Sequence, residues 1–296
     1  MKSKLLNLYG RLPVIRDLLS IKAELNHRWP YDRLMAASSA ILAIEAIKAG
    51  NERYRDLRRL LAHGAQCFSQ NFEDGMIAEI FRRIGTANRT FLEIGVGNGS
   101  ENNTASLLSA GWNGFWIEGD AECVQSIEFQ LLKMPKTSKK LKVRQAFVSP
   151  DDIAGLLSEM GVPEEIDLFS LDIDLNTYHI WAALPDFRPR VVVVEYNAAF
   201  PPGLEWIHPY SEQGGWDYTQ KFGASLKAFE LLGKKFGYSL VGCDITGINA
   251  FFVRDDLMSS HFDGPHTAEN HHEPPRYSLT HRYGHPSVFF VENQVG

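Results

Sequence analysis

The nine residues Phe91-Leu92-Glu93-Ile94-Gly95-Val96-Gly97-Asn98-Gly99 decide the fold. An apolar run holding one acid enters a turn with glycine at every second position, where backbone can bend sharply and come close to a ligand. The helix expected next, beginning around Glu101 to Thr104, would aim its free N–H groups at an anionic group of that ligand. Dinucleotide binding asks for G-x-G-x-x-G, but the third glycine position holds Ser100. A nucleoside without pyrophosphate asks instead for carboxylates, because ribose hydroxyls and ammonium groups are hydrogen-bond donors. Glu93 stands before the glycines. Glu118 closes the next strand-like run, a position from which an acid reaches ribose hydroxyls in doubly wound sheets.

Outward from that turn, Thr90–Ile94, Gly114–Glu118, Lys142–Val148, Ile166–Asp172 and Val191–Glu195 read as strands. Most are continuous apolar runs, as strands covered by helices on both faces must be. Helix-length segments separate them, the alternation of a parallel sheet with crossover helices. A helix over Ala224–Phe236 follows. Two further runs, Tyr238–Asp244 and Ala250–Arg254, joined by Thr246 to Asn249, have the spacing of an antiparallel hairpin. The fold class is therefore α/β, a Rossmann-like doubly wound sheet ending in an antiparallel hairpin. Residues 1–64 read as an N-terminal helical extension, with Leu18, Ile21, Leu25, Tyr54, Leu57 and Leu60 at helical steps. Residues 65–257 form the ligand-binding domain. Residues 258–296 are a tail rich in His and Pro that packs on the core, with a short strand expected at Val288–Val291. Its histidines, among them His261, His266, His271, His272, His281 and His285, follow no zinc-binding spacing.

The chain has 296 residues, 44% hydrophobic and 22% charged, enough for a sizeable core and far from a disordered composition. Its 30 Lys and Arg against 36 Asp and Glu give a net charge of −6, which argues against nucleic acid as a partner. Cys67, Cys123 and Cys243 lie too far apart for a CxxC motif and fit a reducing, cytoplasmic compartment. No run reaches the roughly 20 apolar residues of a membrane span, and no secretory leader pattern is evident. Residues 1–16 mix Lys2, Lys4, Arg11 and Arg16 with leucines, a pattern for membrane-surface contact. Pro13 interrupts it and favours docking on the protein's own core. Whether copies of the chain form a homo-oligomer is left open.

The run E-I-G-V-G-N-G at Glu93 to Gly99 resembles the first motif of S-adenosylmethionine-dependent methyltransferases, and W-I-E-G-D at Trp116 to Asp120 the second. The terminal hairpin resembles the ending of their sheet. More narrowly, S-Q-N-F-E-D-G at Ser69 to Gly75, L-D-I-D at Leu171 to Asp174 and V-V-E-Y-N at Val193 to Asn197 resemble FkbM-type methyltransferases. The likeness spans about residues 66–254. It implies a class I methyltransferase fold, with S-adenosylmethionine as cofactor of the 65–257 domain. It implies that Gly95 and Gly97 approach the methionine moiety, that Glu118 holds the ribose and that Glu93 organises the loop. Ala146 and Phe147 would sit against the adenine, Asp172 would face the methionine amino group, and Gln70, Glu73 and Asp74 would help to close the site. Ser69 or Asn71 as a plain helix cap is the alternative for that last segment. Leu175 stands where relatives often have glycine and Thr177 where an acid is common, departures that bear on the acceptor pocket.

Methyl transfer requires two aligned reactants and removal of a proton from the acceptor. Asp172, Asp174 and Glu195 cluster at the ends of the fourth and fifth strands as candidate catalytic acids, with Asn176, Tyr178 and His179 just downstream. Their mutual repulsion would raise at least one pKa toward a base's working range. A Mg²⁺ ion on Asp174, Glu195 and Asn197 is the alternative arrangement, and His208 is the alternative general base. The long insertion Ala198–Phe222 carries Trp206, Tyr210, Trp216 and Tyr218, aromatics suited to a sugar-like or planar acceptor. The expected reaction is O-methylation of a small or carbohydrate-type acceptor, in glycan or secondary-metabolite modification. An NAD-dependent oxidoreductase and a non-catalytic nucleoside-binding module are the rival readings.

Overall fold

Among the described residues seven strands form one sheet in the order β3-β2-β1-β4-β5-β7-β6. The structure is a computed structural model that describes residues 35–133, 135–212, 219–258 and 260–279. The strands are β1 Thr90–Ile94, β2 Asn113–Glu118, β3 Leu141–Gln145, β4 Leu168–Leu171, β5 Val191–Glu195, β6 Tyr238–Cys243 and β7 Asn249–Arg254. The first five pair in parallel, while β7 runs antiparallel to both β5 and β6. This is the doubly wound sheet with a terminal antiparallel hairpin that the sequence calls for. Strand order reverses between β1 and β4, so the crevice at the carboxyl ends of those strands is where such sheets bind ligands.

Both faces of the sheet are covered. On β1, Leu92 and Ile94 point into one core with Phe169, Val192 and Phe252, while Phe91 points into the other with Trp116, Leu168 and Val191. Glu93 falls on the Phe91 face and is only 2% exposed, the one charged side chain of an otherwise apolar strand. Residues 35–50 form helix α1. Helices α2 (Glu73–Ile84) and α3 (Ala105–Ser109) cover the Phe91 face, the former through Met76, Ile77 and Ile80 at helical spacing. On the opposite face lie α4 (Ile153–Met160), α5 (Thr177–Ala182) and α6 (Leu226–Phe236). Helix α6 starts at Leu226 because the Ser225 hydroxyl accepts the Ala228 N–H at 3.3 Å, and stops at Gly237 in the left-handed region, φ 79°.

After α1 the expected helical run to residue 64 gives way to two single turns, Glu52–Tyr54 and Leu60–His63. Long-range contacts outweigh the periodicity. Leu60 is buried with the Phe91-face core. The fully buried Glu273 accepts hydrogen bonds from Arg53 Nη2 at 2.8 Å, from the Tyr54 hydroxyl at 2.8 Å and from Arg276 Nη1 at 3.0 Å. The Tyr196 hydroxyl, just past β5, donates to the Glu273 carbonyl at 2.9 Å. The tail thus clasps the start of the domain and one strand end together. His271 is buried there and desolvation lowers its pKa to about 3, which keeps the imidazole neutral.

Among the described residues no helix is long and apolar enough to cross a membrane, and Cys123 and Cys243 are free thiols. Residues 1–16, with the rest of 1–34, lie outside the described residues, as do Trp216, Tyr218, His281, His285 and Val288–Val291.

Candidate functional site

The carboxyl ends of β1, β2 and β4 open on a crevice made of two adjoining cavities of about 660 and 480 Å³, which share Gly95, Gly97, Asp172 and Asp174. The glycine turn forms the ridge between them. Gly95 takes φ 84°, and a Cβ there would lie 1.7 Å from the Asp172 carbonyl oxygen, so only glycine lets β1 pass that close to β4. Gly97 takes φ 54° for the opposite reason: nothing lies within 4 Å of where its Cβ would be, and the backbone faces open space. Its N–H donates to Glu118 Oε2 at 2.7 Å, while Glu118 Oε1 accepts from the Asp120 N–H at 2.9 Å. Each carboxylate oxygen keeps a second lone pair for a ligand hydroxyl. Ala146, Phe147 and Val148 form the apolar wall of the larger cavity. Phe147 is 87% exposed, an unusual cost for a large ring, and sits against Gly119, where a Cβ would meet it at 2.6 Å.

The smaller cavity is walled by polar side chains bonded to one another. Glu93 accepts from Asn102 Nδ2 (2.6 Å), from the N–H groups of Asn103 (2.9 Å) and Thr104 (3.0 Å), and from the Thr104 hydroxyl (2.5 Å). Burial raises its pKa to about 7 against these bonds. The consequence overturns one expectation. Helix α3 starts later than anticipated, and the N–H groups ahead of it cap onto an internal carboxylate instead of facing a ligand anion. That removes the phosphate cradle a dinucleotide needs.

Opposite Glu93, the buried Glu73 accepts from the Asn71 N–H and from Asn249 Nδ2, both at 2.6 Å. Burial, aided by the charge of Asp244, raises its pKa to about 8. The 69–75 segment is a helix start and a cavity wall at once. The Ser69 hydroxyl accepts the Asp74 N–H at 3.1 Å, and Asp74 Oδ2 accepts from the N–H groups of Cys67, Phe68 and Ser69. Gln70, Asn71 and Glu73 line the cavity, and Asp74 is turned away into that capping network.

Asp172 lines both cavities and shares a hydrogen bond with Glu195 at the end of β5. Burial raises Asp172 to about 6, moderated by the bond from Glu195. Glu195 is pushed well above the usual carboxylate range, first by burial and then by the Asp172 charge, so the shared proton rests on Glu195. Asp174 is exposed at the mouth with φ 56°, a strained backbone for a residue other than glycine, and its pKa is raised by desolvation.

Asn197 and His208 are not brought into this group. Asn197 Nδ2 donates to the carbonyls of Gln220 (2.8 Å) and Phe222 (3.0 Å), and its Oδ1 accepts from the Ala199 N–H at 3.0 Å. It therefore fastens the 198–222 insertion and is not a free oxygen ligand. Among the described residues no group of three His, Cys, Asp or Glu side chains is placed to hold a metal ion. The Asn197 amide is committed to the insertion, so Asp174, Glu195 and Asn197 are not assembled as three free oxygen ligands of the kind Mg²⁺ accepts. The His208 ring bonds the Pro209 carbonyl at 2.6 Å and lines neither cavity. Of the insertion's aromatics, Tyr210 reaches the larger cavity, whereas Trp206 stacks on Phe200 at 4.4 Å.

The side chains that sequence reasoning passed over are amides: Asn102 and Asn103 ahead of α3, and Asn249 at the start of β7, opposite Glu195 in register. The crowding of Asn98, Asn102 and Asn103 between the glycines and the next helix was the available signal.

No protein-family profile matches the chain. No curated protein matches it either. Among solved structures, the methyltransferase domain of bacterial CtHen1-C is 15% identical with a TM-score of 0.41, over 62% of this chain and 97% of that one. Magnesium protoporphyrin IX methyltransferase (ChlM) from Synechocystis PCC 6803, with bound SAM, is 11% identical with a TM-score of 0.41, over 73% of this chain and 96% of that one. The CcbJ methyltransferase from Streptomyces caelestis is 12% identical with a TM-score of 0.38, over 62% and 90%. With likeness at this level, the rim residues alone carry the functional reading.

Proposed function

We propose that the protein is an S-adenosylmethionine-dependent methyltransferase of FkbM type, transferring methyl to a hydroxyl of a small or carbohydrate-type acceptor. The observation that carries the reading is the open ridge at Gly97, flanked by Glu118 toward an apolar wall and by Asp172 toward a polar one. That arrangement fits a nucleoside with a polar arm. Glu118 takes the ribose hydroxyls, and Ala146 and Phe147 take the adenine. Gly95 and Gly97 would hold the methionine arm and Asp172 would face its amino group, with Gln70 and Glu73 helping to close the site and Glu93 holding the loop in shape.

When bound, S-adenosylmethionine supplies an electrophilic methyl group on a sulfonium. The protein's part is alignment and proton removal. Asp172, ionised above about pH 6 and backed by the proton on Glu195, accepts the proton of the acceptor hydroxyl, and Asp174 at the mouth orients the acceptor. The test is calorimetric titration with S-adenosylhomocysteine and NAD in parallel. Binding of the first without the second is expected, and the reverse would sink the proposal. D172N is expected to lower methyl transfer about 10²–10⁴-fold while leaving S-adenosylhomocysteine binding within about tenfold.

A further inference from the structure

The charge of the crevice is one-sided. Every charged side chain among the described residues that line its two cavities is an Asp or a Glu, with no Lys, Arg or His to balance them. Most of these carboxyls are already engaged. Glu93 and Glu73 accept from the Asn102 and Asn249 amides, Glu101 accepts from Gln70 Nε2 at 3.2 Å, Glu118 accepts from two backbone N–H groups, and Asp172 shares a hydrogen bond with Glu195. Asp174 differs from them. It lines both cavities, and its carboxylate makes no hydrogen bond or ion pair with any described residue. The backbone that presents it is left-handed at φ 56°, and Gly223, at φ 57°, packs against the Asp174 carbonyl, where a Cβ would come within 3.3 Å. Desolvation without a partner disfavours the charge on Asp174, and a cation brought beside it would restore that charge.

The methyl donor and the spent product share adenine, ribose, amino and carboxylate groups, so contacts to those groups hold both alike. They differ at sulfur, a positively charged sulfonium in S-adenosylmethionine and a neutral thioether in S-adenosylhomocysteine. Sulfur joins the ribose to the methionine arm and so belongs where the two cavities meet, the place lined in common by Gly95, Gly97, Asp172 and Asp174. We propose that Asp174 is a specificity residue that selects the methyl donor over the spent product by charge, so that the protein binds S-adenosylmethionine more tightly than S-adenosylhomocysteine. This role of Asp174 rests on the methyl-transfer reading of the site. Methyl transfer breaks the S–CH₃ bond with its electron pair left on sulfur, forms a C–O bond from the acceptor oxygen and passes the hydroxyl proton to Asp172. Positive charge leaves sulfur as negative charge leaves Asp172. Asp174 then faces a neutral thioether, and its attraction for the ligand is lost when the product has to leave.

The test is calorimetric titration of the full chain with S-adenosylmethionine, S-adenosylhomocysteine and sinefungin, which carries a protonated amine in place of the methyl sulfonium. At about 50 mM salt the two cations should bind about tenfold more tightly than S-adenosylhomocysteine, and the gap should narrow at about 500 mM because a charge at the mouth is screened. D174N removes the charge and keeps the shape, and asparagine accepts the left-handed backbone, so the variant should fold. It should weaken both cations until they lie within about twofold of S-adenosylhomocysteine, whose own affinity should stay within about twofold of the parent value. Equal affinity for the three ligands in the parent protein, tighter binding of S-adenosylhomocysteine, or a D174N protein that keeps the preference or weakens all three alike would overturn the inference. If none of the three binds, the methyl-transfer reading falls and takes this role with it. If all three bind with one affinity, that reading stands and only the role of Asp174 is lost.

Discussion

The two flanks of the glycine turn are built on different principles. Beyond Gly97, Glu118 holds two backbone N–H groups near the surface and Phe147 stands almost uncovered, so that flank is loosely tied and open to whatever fills it. Behind Gly95, Glu93 and Glu73 are buried and gather the surrounding amides into a fixed shell. The same short turn therefore joins a loosely tied wall to one whose side chains are already bonded to one another. Damage should follow the same division, with stability lost on one side and ligand affinity on the other.

The glycines give the sharpest version of that contrast. Gly95→Ala drives a methyl group into the Asp172 carbonyl and should cost on the order of 4 kcal/mol in urea denaturation, enough to unfold much of the population. Gly97→Ala meets no protein atom and should cost only the left-handed backbone, about 1–2 kcal/mol, while weakening S-adenosylhomocysteine binding. Equal losses from the two variants would break the comparison. Next come the carboxylates. Glu93→Ala orphans the donors of Asn102, Asn103 and Thr104 and should cost about 3 kcal/mol of stability. Glu118→Ala should change stability by only about 0.5 kcal/mol, but lose about 1.5–3 kcal/mol of S-adenosylhomocysteine affinity by calorimetry.

The buried shell also has a pH signature. Glu73, at about 8, and Glu93, at about 7, both titrate above the ordinary 4.5, because burial disfavours their charged forms. The folded state thus binds these protons more tightly than the unfolded chain does. Their contribution to stability is full below about pH 4.5 and is lost as pH rises toward about 8. Tm should fall across that window, and Glu73→Gln should flatten its upper end. A Tm that climbs from pH 5 to 8 would contradict the assignment. The smallest effect belongs to Phe147→Ala, about 0.5–1.5 kcal/mol of cofactor affinity from lost ring stacking with no change in Tm.

Much of this was legible in advance. The seven described strands overlap the runs predicted for them, although β3 is not apolar and stops at Gln145, short of the expected Val148, and Gly95 and Gly97 mark the turn unaided. Harder to see was where the donors of that turn go. A carboxylate on a strand reads equally as a ligand contact or an internal cap, and only the fold brings Asn103 and Thr104 onto Glu93, or Asn249 onto Glu73 across the whole domain. Asn197 was misjudged for the same reason, because its partners at Gln220 and Phe222 arrive by a long insertion that periodicity does not place. The segment before residue 64 failed differently. Its leucines have helical spacing, but Glu273 and the sheet core pull Arg53, Tyr54 and Leu60 into separate turns.

That clasp at Glu273 limits how the protein can be trimmed. A truncation ending near residue 264 would keep every strand of the described residues, yet it would strip the partner from Tyr196 and uncover Arg53 and Tyr54 together. The strand end that presents Glu195 would lose its brace. Shortened versions made for crystallography should therefore stop no earlier than Arg276, or they will carry a frayed rim beside Asp172 and Glu195.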